Sequence, residues 1–138
     1  IPLRLVGSEM CIRDRAYTAH QTCIEIQEEI AAMAKPGTVC EDMYNKAIEI
    51  VTKAGFADYF MGVDQKAKFI GHGIGLEINE MPVLAPRMKQ ELEPGMVFAL
   101  EPKIVLPGIG PVGIENSWAV TTDGLEKLTL CKEEIIEL

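Results

Sequence analysis

The sequence predicts an α+β domain in which two helices come first and a curved antiparallel sheet follows. Two apolar stripes with the helical period occupy the first half of the chain, and short apolar runs separated by Gly- and Pro-containing turns occupy the second half. Strand runs joined by short turns favour hairpins, and therefore antiparallel pairing. With 138 residues, the chain is long enough to form one domain with its own hydrophobic core.

The first helical pattern begins near Ala16 and ends at the turn Lys35-Pro36-Gly37, because proline cannot continue a helix. Its apolar positions recur at spacings of three and four residues: Ala19, Cys23, Ile26, Ile30 and Met33. We expect the polar residues between them to face water: His20, Glu25, Gln27, Glu28 and Glu29.

Residues 1–15 have a different composition from the rest of the chain. Three of the four arginines fall here, whereas all nine lysines come later, and no clean helical or strand period runs through Leu3–Arg15. We interpret residues 1–15 as a non-native leader and 16–138 as the native portion. An intact genomic reading frame through these codons would contradict that interpretation.

A second helix is predicted from Thr38 to about Ala54. Thr38 and Glu41 have the spacing of a capping box, and Gly55 stands where a left-handed C-cap is expected. The inner face should consist of five apolar residues: Met43, Ala47, Ile50, Val51 and Ala54.

The second half predicts strands over Phe69–Leu76, Met96–Leu106, Val112–Thr121 and Leu125–Leu130. A long loop over Glu77–Gln90 should follow the first strand. A hairpin tip at residues 107–111 should join the second and third strands, because two prolines and two glycines lie there.

Composition excludes several classes of function. The net charge of −8 argues against nucleic acid and anionic membrane surfaces as partners. The four cysteines show no CxxC spacing, so we expect reduced thiols and a cytoplasmic location. No apolar run reaches the roughly 18 residues of a membrane span, and no signal peptide is recognisable at the N-terminus.

One histidine and two acids stand out as a possible metal site. His72 lies between Gly71 and Gly73, while Glu101 and Glu115 each lie in an apolar, strand-like run. Strand alternation places Glu115 on a face of small residues, and Glu101 should be largely buried, where a carboxylate needs a metal, a cation or a proton. One imidazole with hard carboxylates suits Mn²⁺, Fe²⁺, Co²⁺ or Zn²⁺.

Each of these residues also has an ordinary explanation. A strand histidine is commonly a satisfied core residue, and Glu101 can form a salt bridge with Lys103. The glycines around His72 could instead form a phosphate loop, but their spacing is not GxGxxG and no helix follows.

Four motifs occur in a fixed order along the second half of the chain: Gly71–Glu77, Leu92–Pro102, Gly113–Asn116 and Val120–Thr129. Together they resemble the C-terminal part of the pita-bread metallopeptidases, which comprise Xaa-Pro aminopeptidases, prolidases and methionine aminopeptidases. The sequence is most similar to the Xaa-Pro peptidase branch, over about Ala16 to Leu138.

The resemblance implies a partial pita-bread fold and a dinuclear site of two aspartates, one histidine and two glutamates. His72, Glu101 and Glu115 match the last three ligands. Glu101 would also act as general base or proton shuttle, Glu115 would bridge two ions of Mn, Co, Fe or Zn, and a bridging water would attack the scissile carbonyl. The substrate would be a short peptide with proline at its second position, and relatives are often homodimers.

The sequence departs from the family pattern in three places. The aspartate pair should precede the first helix and has no counterpart here, so we expect this chain to be an inactive fragment of the enzyme. Asn79 stands where the family often has a substrate-contacting histidine, and an amide can donate a hydrogen bond but cannot carry the proton. Lys68 and Gly113 replace a histidine and an arginine found in some relatives.

Two other functions fit the same resemblance. A non-catalytic pita-bread module could bind a protein partner, although such a module has no reason to bury two acids. A creatinase-type C–N hydrolase shares the fold without needing a metal, and it would remain active in chelator.

Overall fold

The computed structural model describes the backbone of residues 3–136 and the side chains of residues 12–136. Within this part, two α-helices precede seven strands, as the α+β prediction requires. The helices are α1 (Leu3–Met33) and α2 (Cys40–Lys53), and a short 3-10 helix follows at Ala57–Tyr59. The strands are β1 (Gly71–Gly73), β2 (Glu80–Leu84), β3 (Val97–Leu100), β4 (Lys103–Leu106), β5 (Gly110–Gly113), β6 (Asn116–Val120) and β7 (Leu125–Lys127).

Helix α1 begins at Leu3, so the predicted start near Ala16 is wrong. Adding a residue to an existing helix is far easier than nucleating one, and the first turns therefore need no apolar stripe of their own. A helical backbone does not decide whether residues 1–15 are native, and the leader interpretation stays a prediction.

The apolar stripe of α1 is buried as predicted, with Ala19, Cys23, Ile26 and Ile30 fully inaccessible to solvent. The prediction of exposed polar residues is wrong for two of them: Gln27 is 2% exposed and His20 is 7% exposed. Helix α1 packs against both α2 and the hairpin formed by β4 and β5. Because α1 is covered from two directions, more of its circumference is buried than a single stripe provides.

The C-terminus of α2 forms the expected left-handed cap. Gly55 has φ +83°, its N–H donates to Thr52 O, and the N–H of Phe56 donates to Val51 O, which is the Schellman pattern. The predicted capping box at the N-terminus is wrong, because Val39 is the N-cap residue and no side chain caps the helix. Glu41 instead accepts hydrogen bonds from the N–H of Arg87 and from Lys89.

The inner face of α2 is buried at four of the five predicted positions: Met43, Ala47, Ile50 and Val51. Ala54 is exposed, because it lies beyond the last helical residue and the chain turns there.

Five strands form one antiparallel sheet in the order β2-β1-β3-β6-β7, and β4 pairs with β5 in a separate two-stranded sheet. The hairpin predicted at residues 107–111 is therefore present, with a shorter tip at residues 107–109, because Gly110 and Pro111 already belong to β5. Two of the predicted strands are wrong in one respect, because each is divided between the two sheets. The predicted strand Met96–Leu106 breaks at Glu101-Pro102, and the predicted strand Val112–Thr121 breaks at Ile114-Glu115.

Strand β2 lies inside the predicted loop Glu77–Gln90, and β1 is only three residues long. The register between β1 and β2 shifts after His72: His72 faces Val83, but the next residue, Gly73, faces Glu80. Such a bulge bends the strand and redirects its side chains. No helix in the described part of the chain is long and apolar enough to cross a membrane.

Candidate metal centre

His72 lies on the central part of the large sheet, between β2 and β3, where it faces Val83 on one side and Ala99 on the other. The flanking glycines are required by the closeness of the neighbouring strands. A Cβ on Gly71 would overlap Ala99 O, and a Cβ on Gly73 would overlap the carbonyl of Met81. These glycines therefore hold β1 between two closely approaching backbones.

The ring of His72 is oriented by its neighbours. Nδ1 lies 3.1 Å from Gly73 O, and because a carbonyl oxygen only accepts hydrogen bonds, Nδ1 carries the proton in this contact. Nε2 then retains its lone pair for a metal ion. The ring of Phe69 packs edge-on against the imidazole, with the ring centroids 6.3 Å apart.

Glu101 and Glu115 lie where the chain passes between the two sheets. Glu101 follows the last residue of β3, and Glu115 precedes the first residue of β6. The N–H of Glu101 donates to Ile70 O at 2.8 Å, and the N–H of Ile114 donates to Pro102 O at 3.3 Å. These hydrogen bonds bring both crossing points beside the start of β1.

The structure brings the three residues together. His72, Glu101 and Glu115 each offer one ligand atom, and these atoms all lie within 4.8 Å of one another. That spacing and the combination of one imidazole with two carboxylates fit a divalent transition metal ion. The side chain of Glu101 is 18% exposed, as expected of a largely buried acid. Glu115 is exposed, so the expectation of two buried acids is wrong for this residue.

Lys103 also approaches Glu101. Its Nζ lies 4.0 Å from Glu101 Oε2, and the lysine side chain is 41% exposed. This is a loose ion pair, in which water screens the more exposed partner, Lys103. The salt-bridge explanation of Glu101 and the metal-site explanation are therefore compatible with one geometry, and a bound cation would compete with Lys103.

Two clefts adjoin the cluster. The first has a volume of about 230 Å³ and is lined by Glu101, Pro102, Lys103, Gly113, Ile114 and Glu115. The second, of about 470 Å³, is lined by Phe69, His72, Asn79, Glu80, Met81 and Val83. Asn79 is exposed, and it lines the same cleft as His72. Lys68 is exposed as well.

Another polar cluster lies near the end of the described chain. Glu133 accepts hydrogen bonds from Lys127 and from Asn116 Nδ2, and Lys127 holds the pKa of this carboxyl below its usual value, against the opposing effect of burial. Trp118 is buried in the core.

Of the cysteine side chains that the structure describes, none takes part in the metal cluster. Cys23, as predicted from its place in the apolar stripe, and Cys40 are buried, and burial raises their pKa to about 12 and about 11. Cys131 is exposed, and the side chain of Cys11 lies outside the described residues. A thiol with a raised pKa is a poor nucleophile and a poor metal ligand.

Sequence reasoning missed Gln27, whose side chain lies behind the cluster. Its amide contacts the carbonyls of Leu100 and Ile114 and the indole of Trp118. A signal was present, because Gln27 is four residues after Cys23 and three before Ile30, at the spacing of the buried stripe.

Comparison with known proteins identifies the family. The family model described as metallopeptidase family M24 matches residues 6–122, which is most of the chain. The chain belongs to metallopeptidase family M24. Family M24 is the group that the motifs around His72, Glu101 and Glu115 indicate.

The chain is similar to curated M24 Xaa-Pro dipeptidases. It is 33% identical to the enzyme of Pyrococcus furiosus over 132 residues, covering 96% of this chain and 35% of the relative. It is 35% identical to the enzyme of Lactobacillus helveticus over 116 residues, covering 84% of this chain and 30% of the relative. The chain thus spans about a third of the length of these relatives.

Solved structures of an Xaa-Pro dipeptidase and an X-Pro aminopeptidase have a similar fold. An Xaa-Pro dipeptidase from Bacillus anthracis superimposes with a TM-score of 0.80 at 36% identity, covering 91% of this chain and 34% of that one. An X-Pro aminopeptidase from Thermotoga maritima gives a TM-score of 0.79 at 30% identity, covering 88% and 33%. The two helices and the antiparallel sheets are therefore part of a pita-bread fold.

Proposed function

We propose that the protein containing this chain is a dinuclear-metal exopeptidase that hydrolyses Xaa-Pro peptide bonds, and that His72, Glu101 and Glu115 are three of its metal ligands. The observation that carries the proposal is the convergence of the three ligand atoms within 4.8 Å. Membership of family M24 and the similarity to Xaa-Pro dipeptidases support it. Divalent metal ions held there would polarise the scissile carbonyl and would lower the pKa of a water molecule, so that it could lose a proton and attack as hydroxide.

Each ligand has a distinct role in this proposal. His72 offers Nε2, because its Nδ1–H is engaged by Gly73 O. Glu115 is exposed towards the cleft and would help to hold the metal ions with its carboxylate. Glu101 would hold a metal with one oxygen and act as general base with the other, since it lies at the cleft surface within reach of solvent.

Asn79 is the proposed substrate-binding residue. It shares the 470 Å³ cleft with His72, and the cleft walls are largely apolar. Its amide can donate a hydrogen bond to a peptide carbonyl but cannot transfer a proton. The substrate would be a short peptide with proline at the second position, as the names of the dipeptidase relatives suggest.

We propose that the isolated chain is catalytically inactive. The described cluster provides three ligands, whereas two metal ions about 3.5–4 Å apart need further carboxylates. The chain should therefore bind one Mn²⁺ ion weakly.

The free cysteines support a cytoplasmic location. We also propose that the full-length protein is a homodimer, which sedimentation can test.

The test is a Mn²⁺ titration of the chain followed by paramagnetic line broadening in NMR spectra, which detects weak binding and also locates it. Broadening should centre on His72, Glu101 and Glu115 and should be lost in His72→Ala and Glu115→Gln. Glu126→Gln is the matched control, because it removes an exposed carboxylate outside the cluster. Broadening that persists in His72→Ala would refute the ligand assignment.

Two further results would overturn other parts of the proposal. Tight binding of two ions, or metal-dependent release of an N-terminal residue by this chain, would refute the inactivity of the fragment. Full activity of the complete protein in chelator would favour the creatinase-type hydrolase over the peptidase.

A further inference from the structure

Gln27 makes three hydrogen bonds in the interior of the molecule. Its Nε2 donates to Leu100 O at 2.6 Å and to Ile114 O at 3.2 Å, and its Oε1 accepts from Trp118 Nε1 at 2.9 Å. The indole N–H only donates and the two carbonyls only accept, so the orientation of the amide is unambiguous. Both N–H groups of the amide and its oxygen are therefore used.

The two carbonyls belong to the residues that immediately precede the acids of the metal centre: Leu100 precedes Glu101, and Ile114 precedes Glu115. These are the points at which the chain leaves one sheet for the other, where ladder pairing ends. The last pair of the β3–β6 ladder is Leu100 with Asn116. One side chain from α1 thus bonds the backbone at both crossing points.

Planarity of the peptide group transmits this restraint to the acids. The carbonyl of Leu100 and the N and Cα atoms of Glu101 lie in one plane, so fixing the oxygen restrains the Cα from which the carboxylate projects. The same peptide group is held at its other side, because the N–H of Glu101 donates to Ile70 O. The peptide group between Ile114 and Glu115 is restrained by Gln27 in the same way.

We propose that Gln27 is a positioning residue of the metal centre, whose amide sets the separation of Glu101 and Glu115 by bonding the peptide group before each of them. This inference rests on the proposed function for its consequence, which is metal affinity. The backbone restraint itself can be tested without metal.

A residue with a purely structural role would stabilise the fold without affecting the acids in particular. The test variant is therefore Gln27→Met, which keeps the side-chain length and removes all three hydrogen bonds. The control is Ile30→Ala, a fully buried position on the same helix that makes no side-chain hydrogen bond. Both variants should lower global stability. Differences that remain between them after correction for stability therefore report on the lost hydrogen bonds to the backbone before Glu101 and Glu115.

The first measurement is amide hydrogen exchange of the metal-free chain. The amides of Glu101 and Ile114, which donate to Ile70 O and Pro102 O, should exchange at least tenfold faster in Gln27→Met than in Ile30→Ala, after correction for global stability. Equal exchange in the two variants would overturn the proposal. If Gln27→Met does not fold, Trp118→Phe provides the test, because it frees Oε1 and should accelerate the same two amides.

The second measurement is Mn²⁺ affinity from paramagnetic broadening. Gln27→Met should weaken binding about tenfold or more, as the loss of groups that orient metal ligands generally does, and Ile30→Ala should leave it within about twofold. Equal affinities would overturn the positioning role. If the wild-type chain binds no Mn²⁺, the proposed metal ligands fail, and the exchange measurement still decides the role of Gln27.

Discussion

Lys103→Met should strengthen the binding of a divalent ion at the cluster. The ammonium lies 4.0 Å from the Glu101 oxygen, and a metal–oxygen bond adds about 2 Å, so an ion on that oxygen would lie at most about 6 Å from Nζ. Repulsion between a single and a double positive charge at about 6 Å is roughly 1.4 kcal/mol in water, which corresponds to about tenfold in affinity.

Ionic strength provides an internal check on that magnitude. The Debye length is about 30 Å at 0.01 M salt and about 8 Å at 0.15 M, so the gain should fall from between five- and tenfold to about threefold. Thermal stability should hardly change, because a loose ion pair whose lysine is partly exposed contributes about 0–1 kcal/mol. Lys103→Met should therefore change metal affinity strongly at low salt while leaving thermal stability almost unchanged.

The assay is a Mn²⁺ titration monitored by NMR line broadening at both salt concentrations. Lys132→Met is the control, since it removes the same charge from another exposed lysine. An unchanged affinity in Lys103→Met, or an equal gain in Lys132→Met, would refute the reasoning and would show that Lys103 does not compete for Glu101.

Three other predictions concern stability and reactivity. Gly73→Ala should destabilise the fold by about 1–3 kcal/mol in urea unfolding, because the new Cβ would overlap the Met81 carbonyl. The control Gly124→Ala, with open space around the new Cβ, should be nearly neutral. Equal effects of the two variants would contradict the inference that β1 requires glycine because the neighbouring backbones approach closely. In a Cys11→Ser background at pH 8, iodoacetamide should label Cys131 rapidly and Cys23 and Cys40 only after unfolding, because burial raises the pKa of both thiols; mass spectrometry would reveal native-state labelling of Cys23 if this is wrong. The pKa of Glu133 is lowered in the folded state by Lys127, so its stabilising contribution is present above about pH 4.5 and is lost as pH falls through the folded pKa. Urea unfolding of Glu133→Gln should accordingly show a shallower loss of stability below that pH than the wild type, and parallel curves would exclude the contribution.

The sequence was informative where the signal is local. Pro36 and Gly37 mark the turn that ends α1, Gly55 marks the end of α2, and the prolines and glycines of residues 107–111 mark the hairpin. Each of these features depends on the conformational limits of one or two residues, which do not require knowledge of the fold.

The division of the strands could not be predicted in the same way. Met96–Leu106 is extended throughout its sequence pattern, but Glu101-Pro102 separates β3 from β4 because the two strands pair with different partners. Partner choice is a tertiary property, and strand propensity contains little information about it. The spacing of Gln27 from Cys23 and Ile30 places it on the buried stripe, but its polar side chain gave no indication of the distant groups that bond it. The burial of His20 depends in the same way on tertiary packing.

The sequence identified the residues of the candidate metal centre but not their exposure or their neighbours. His72, Glu101 and Glu115 were selected from their motifs, and their ligand atoms do converge. The exposure of Glu115 and the approach of Lys103 to 4.0 Å from Glu101 follow from the break at each crossing point and became visible only in the structure.

The three bonds of Gln27 have a consequence for the order of folding during synthesis. They join residues separated by 73, 87 and 91 positions. Contacts of such long range form late, because closing a long loop must precede them. The ribosome completes α1 and α2 while the partners of the Gln27 amide are still unmade, so the nascent helices expose a face that only the last third of the chain can cover. The acids at the two crossing points reach their final separation only after Trp118 has been synthesised.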